Sequence, residues 1–146
     1  MKVAIGADHA GYLLKESIKK YLNSKEISFI DIGTFKEESV DYPEFAYKVG
    51  NSILKEAADM GILICGTGIG MSISANKTKN IRAALVYNKK TAELSRLHNN
   101  ANVLCMGSRM TKIDDALEFV EIWLNTSFEG GRHEKRISLI NKLTGL

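Results

Sequence analysis

Five short runs of almost uninterrupted apolar residues, Val3–Ala7, Ser28–Ile32, Ile62–Cys65, Ala83–Val86 and Val103–Met106, are spread along the chain. A strand with one wet face alternates polar and apolar residues. A strand covered on both faces does not, and a parallel sheet is built from the second kind. The segments between the runs carry helical spacing. Leu14, Ile18, Tyr21 and Leu22 form one stripe, and Phe45, Val49, Ile53 and Ala57 a second, with the single proline, Pro43, suited to a first turn. Ile113, Ala116, Leu117, Val120 and Leu124 form a third, and the stretches around 69–79 and 89–98 also read as helices. Strand–helix alternation predicts an α/β three-layer sandwich with helices on both faces of a five-stranded parallel sheet. The expected order is flavodoxin- or Rossmann-like, 2-1-3-4-5, with a ligand crevice where strands 1 and 3 leave the sheet side by side. After the fifth strand come a helix, a break at Gly130-Gly131, and an extra C-terminal helix carrying Leu139, Ile140 and Leu143. That apolar face must fold back or reach a second subunit.

The 146 residues suit one domain spanning 1–146, long enough to bury a core without staples. A formal charge of +3, with basic and acidic residues interspersed, argues against a nucleic-acid partner. No run approaches the roughly 18 apolar residues of a membrane span, and the N-terminus is too short in apolar length for a signal peptide. Two cysteines, Cys65 and Cys105, make no disulfide framework, so the expected compartment is the cytoplasm.

The chemistry concentrates where the third run ends, at Cys65-Gly66-Thr67-Gly68-Ile69-Gly70. Alternating glycines let backbone N–H groups converge on an anion or a developing oxyanion. A thiol beside them shares that field, in which a thiolate is favoured. The spacing is not the dinucleotide fingerprint, no Walker lysine follows, and Met71 stands where a cysteine phosphatase needs arginine. A tight strand-to-helix connection is the plain alternative. Cys105, inside the last run, reads as an ordinary core thiol.

Asp8-His9 at the tip of strand 1 meets the same crevice by topology. His98 is another candidate, although a lone histidine is more often structural. A zinc site from Cys65, His9 and His98 lacks any close-spaced ligand pair. Arg132 and Arg136, four apart, share one helix face and could grip a phosphate with His133 and Lys135, although such a run is more often solvated. Arg109 is a third basic candidate just beyond strand 5.

These residues resemble the ribose-5-phosphate isomerase B type, grouped with bacterial galactose-6-phosphate isomerase subunits. The likeness runs through Gly6–Gly11, Asp41–Pro43, Cys65–Ser72, Ala75–Lys77, Ile81–Ala84, His98–Leu104, Gly107–Arg109 and Phe128–His133, nearly the whole chain. It implies an aldose–ketose isomerase of phosphorylated pentoses that uses no metal and no cofactor. Cys65 would match the base, with Thr67 beside it, and His98 the residue that helps open the sugar ring, assisted by Asp8. Gly66, Gly68, Ile69, Gly70, Ser72 and Asn99 would hold substrate oxygens. His9, Tyr42, Arg109, Arg132 and Arg136 would contact substrate or phosphate. The alternatives are a six-carbon substrate, allose 6-phosphate or galactose 6-phosphate, and a non-catalytic sugar-phosphate-binding module.

His98 precedes strand 5, and a strand rises about 3.3 Å per residue. That places the imidazole roughly 15 Å from the Cys65 crevice. The expectation is therefore a homodimer, or a tetramer of such dimers, whose active sites are completed across the interface.

Overall fold

The computed structural model describes all 146 residues. The strands are β1 (Lys2–Ala7), β2 (Ser28–Gly33), β3 (Met60–Cys65), β4 (Ala83–Leu85) and β5 (Val103–Gly107). The helices are α1 (Tyr12–Ser24), α2 (Tyr42–Leu54), α3 (Ile69–Ala75), α4 (Lys89–Leu97), α5 (Ile113–Asn125) and α6 (Arg132–Thr144). Local chemistry marks their starts. Pro43 stands in the first turn of α2, Asp114 and Asp115 in that of α5, and Asn88 caps α4 by accepting the Thr91 N–H at 2.8 Å.

All strand pairs are parallel, and each face of the sheet carries its own core. On one face Ile5, Ile62, Ile64, Leu104 and Met106 pack with Leu14 and Ile18 of α1 and with Phe119, Val120 and Trp123 of α5. On the other, Leu63, Val103 and Cys105 pack with Phe45 and Val49 of α2 and Met71 of α3. Both faces are thus covered, as the apolar runs require.

The order is β2-β1-β3-β5-β4, not 2-1-3-4-5. The reason is the side on which α4 lies. Ala92 of α4 joins the core formed by α1 and α5, and β-helix-β crossovers are right-handed. A crossover through that face runs in the β1-to-β2 direction, so the chain returns inward from β4 and inserts β5 beside β3. Burial agrees, because β5 is wholly buried, whereas β4 is three residues long and only half-buried.

Lys15 of α1 is fully buried. Its Nζ donates to both Asp31 oxygens, at 2.9 and 2.8 Å, and to Glu16 Oε1 at 2.6 Å. The tail helix is bound much less tightly. Among α6 residues only His133 is buried, while Leu139, Ile140 and Leu143 are exposed.

Candidate active site

β1 and β3 are neighbours with Ala7 opposite Ile64, so Asp8 and Cys65 leave the sheet from adjacent positions. Asp8 is buried, and its Oδ1 accepts the Gly11 N–H at 3.0 Å, closing the turn into α1. His9 Nδ1 accepts the Val40 N–H at 3.2 Å. That bond assigns the proton to Nε2, which is left as a free donor. Tyr42, at the start of α2, lies against the glycine loop: a Cβ on Gly70 would stand 2.7 Å from its Cζ.

Cys65 ends β3 and is 4% exposed. Its Sγ accepts the backbone N–H of Gly68 at 3.1 Å. Gly68 takes a left-handed φ of +79°, and a Cβ there would stand 2.8 Å from the Met106 carbonyl carbon, so only glycine fits. Thr67 is exposed, and its Oγ1 accepts the Ile69 N–H at 3.3 Å. α3 is only seven residues long, so the single Gly68 N–H of the loop, rather than a long helix dipole, faces the sulfur. Ser72 is turned away, its Oγ toward the Ala83 carbonyl at 3.5 Å.

The inserted β5 completes this edge. Cys65 pairs with Gly107, and a Cβ on Gly107 would come within 2.5 Å of the Thr67 backbone. Ser108 N–H donates to Cys65 O at 2.9 Å and Arg109 N–H to Gly66 O at 3.0 Å. The Arg109 guanidinium lies over Gly66, 3.2 Å from where a Cβ would be. With β4 beside β3, as the sequence suggested, Arg109 would stand a strand further off. Cys105, also in β5, is fully buried, and burial pushes its thiol far up, with the Cys65 charge adding to that. It is the inert cysteine of the pair.

The remaining residues gather at the opposite edge of the sheet. His98 caps the C-terminus of α4 and stacks on His133 of α6, ring centroids 4.3 Å apart and planes 7° from parallel. Glu129 Oε2 lies 3.7 Å from His98 Nε2 and 3.9 Å from His133 Nε2. Burial pushes the His133 imidazole below its ordinary value; His98, Arg132 and Arg136 push the same way, and Glu129 opposes them. His133 Nε2 has no hydrogen-bond partner. His98, Glu129 and His133 are close enough to suggest a metal centre. However, an imidazole lone pair lies in its ring plane, and two stacked planes do not share a point where one ion could sit. Arg132 and Arg136 are exposed in the first turns of α6, as is Asn99 beside His98. No arginine makes an ion pair; lysines, histidines and the N-terminus supply every one. The exposed guanidiniums of Arg109, Arg132 and Arg136 are open to other anions.

The expected residues therefore fall into two groups. Asp8, His9, Tyr42, Arg109 and the 65–70 loop occupy one edge of the sheet, and His98, Asn99, Arg132 and Arg136 the other. β5 lies between, about 15 Å of strand. A cavity of about 460 Å³ lies at the second edge, between Arg82 and Asn99 on one side and Ile140 and Asn141 of α6 on the other. The sequence reading placed His133 only among phosphate-gripping groups and passed over Glu129. Their i, i+4 spacing across Gly130-Gly131 was the available signal.

Both the sequence and the fold are similar to those of known proteins. The chain is 47% identical over 142 residues to the Putative sugar phosphate isomerase YwlF of Bacillus subtilis, covering 97% of this chain and 95% of that one. The solved Ribose-5-Phosphate Isomerase B of Clostridium thermocellum superposes with a TM-score of 0.98 at 46% identity, covering 99% and 98%. The Ribose-5-phosphate Isomerase B of Mycoplasma genitalium, solved with bound ribulose-5-phosphate, gives 0.94 at 42%, covering 99% and 96%. The family model described as Ribose/Galactose Isomerase matches residues 3–140, and the chain belongs to that family.

Proposed function

We propose that the protein interconverts ribose 5-phosphate and ribulose 5-phosphate, with Cys65 as the base and an active site built from two copies of the chain. The observation that carries this reading is the Gly68 N–H donated to Cys65 Sγ at 3.1 Å, inside a loop shaped for anions. A donor aimed at sulfur stabilises the thiolate that must take a proton. In the open-chain aldose the thiolate removes the proton from C2, and the electrons move onto the C1 oxygen to give an enediolate. The proton is returned to C1 while one passes between the two oxygens, leaving the carbonyl at C2. The loop N–H groups not already engaged by Cys65 Sγ and Thr67 Oγ1, together with the Thr67 hydroxyl, hold the oxygen on which charge develops, which is the main electrostatic aid to such a step.

Before that step the furanose ring must open. His98, offered by the neighbouring subunit, exchanges the ring-oxygen proton, with Asp8 assisting and Asn99 holding a sugar hydroxyl. The phosphate is gripped by His9 Nε2–H, Arg109, and Arg132 and Arg136 of the neighbour, remote from the chemistry where its binding energy orients the sugar. Tyr42 lines the sugar's path against Gly70. The Leu139, Ile140 and Leu143 face of α6 supports a dimer, because these side chains stay 48%, 48% and 75% exposed. Two unpaired, buried cysteines suit a reducing, cytoplasmic setting.

The test is conversion of ribose 5-phosphate by pure protein in EDTA, beside Cys65→Ala. The reading expects turnover that survives chelation and collapses in the variant. Equal turnover in Cys65→Ala would remove the thiol from the mechanism. A wild type active only on six-carbon phosphates would move the substrate within the family.

A further inference from the structure

The turn that carries His98 into β5 is gripped by a residue to which the reaction above gives no role. Arg82, just before β4, donates its backbone N–H to Asn102 Oδ1 at 2.8 Å and receives the Asn102 N–H at 3.1 Å. Its side chain turns back onto the other end of the same turn, where Nε donates to Asn99 O at 3.1 Å and Asn100 O at 3.0 Å. One residue thus holds both ends of the segment 99–102. Arg96 of α4 holds the middle, donating from Nη1 to Asn100 Oδ1 at 3.0 Å and to Ala101 O at 2.6 Å.

The turn is not relaxed without these bonds, since Asn100 sits at a left-handed φ of +45°. Nor is the clamp the cheapest one available. Both guanidiniums are partly buried, neither meets a carboxylate, and the charge of Arg82 bears on Arg96. Neutral donors could close a turn whose only duty was to connect α4 to β5 without the desolvation cost of two cations.

We propose that Arg82 is a positioning residue that fixes the orientation of His98 by bridging the Asn99 and Asn100 carbonyls. The planar Nε–H reaches both oxygens from one fixed direction, which a lysine ammonium on its flexible stem does not reproduce. With the turn held, the His98 ring keeps its place on the His133 stack and presents one edge outward. The proposal rests on the reading that His98 serves the reaction.

The experiment is a double-mutant cycle of Arg82→Ala and His98→Ala on ribose 5-phosphate turnover, with histidine ring proton shifts read by NMR. Arg82→Ala is expected to lower kcat about tenfold, leave KM within about twofold, and move the His98 ring resonances as the stack loosens. In the His98→Ala background the same change should cost nothing further, because the group it positions is gone. Arg82→Lys should fall between and serves for the cycle if Arg82→Ala does not fold. Additive losses, or an unshifted His98 ring, would overturn the positioning role while leaving that of His98 intact. Wild-type turnover in His98→Ala would instead overturn the reading of His98, and the positioning role with it.

Discussion

Gly68 donates its backbone N–H to the Sγ of Cys65 across 3.1 Å, so the loop leaving β3 folds back onto the thiol that begins it. Position 68 has no room for a side chain. An added Cβ would stand 2.6 Å from Leu85 Cδ1 and 2.8 Å from the Met106 carbonyl carbon, at a φ that disfavours any L-residue. Gly68→Ala is therefore expected to cost about 1–3 kcal/mol in stability and to move the donor off the sulfur. Denaturant melts read the first effect, and the rate of Cys65 alkylation by iodoacetamide, followed by mass spectrometry, reads the second. Labelling should slow, and the buried Cys105 should stay unlabelled in both proteins. Unchanged labelling would mean that this bond does not activate the thiol.

The buried Lys15 ammonium depends on its carboxylates. Burial alone would raise the Asp31 carboxyl, but hydrogen bonds from Lys15, Lys19 and the Gly33 N–H hold it below the usual range. For a lowered carboxylate the stabilisation is present above the unfolded value near 3.8 and is lost as pH falls through the lower folded one. Asp31→Asn leaves Lys15 with Glu16 as its remaining carboxylate partner, and should cost about 3 kcal/mol at neutral pH. Urea melts at pH 7 check this, and a loss well under 1 kcal/mol would contradict the account.

His133 carries the opposite charge logic. Its lowered value means that the fold prefers the neutral ring, chiefly because the ring is buried and then because a charge on the adjacent His98 would repel a second one. That stabilisation is fully present above the ordinary histidine value near 6.5 and is lost as pH falls below it. His133→Phe should therefore show a smaller drop in Tm between pH 7.5 and 5.5 than the wild type. Equal drops would remove His133 as the source.

Much of the fold was legible because its signals are local. Apolar runs gave all five strands to within two residues, and i, i+4 rows gave the long helices. The order of β4 and β5 depends on which face α4 covers, a tertiary choice that Ala92 alone could not announce. Yet the contrast between an all-apolar Val103–Gly107 and a short, alanine-rich Ala83–Leu85 already distinguished a central strand from an edge. The Cys65 loop was legible because only glycines allow its path. His133 was half legible: its neighbours Arg132 and Arg136 face solvent, and only the folded α6 turns the histidine between them onto His98. Lys15 was hidden, since nothing in a surface-like lysine of an amphipathic stripe reports the Asp31 partner sixteen residues away.

The claim that Cys65 and His98 act together only across two chains is tested most directly by mixing inactive variants. Cys65→Ala and His98→Ala are each expected to lose turnover alone. Unfolded together in equal amounts and refolded, they should form mixed dimers in which one of two sites has both groups, restoring about a quarter of wild-type activity. A mixture as inactive as its components would contradict a shared site and place both groups within one chain.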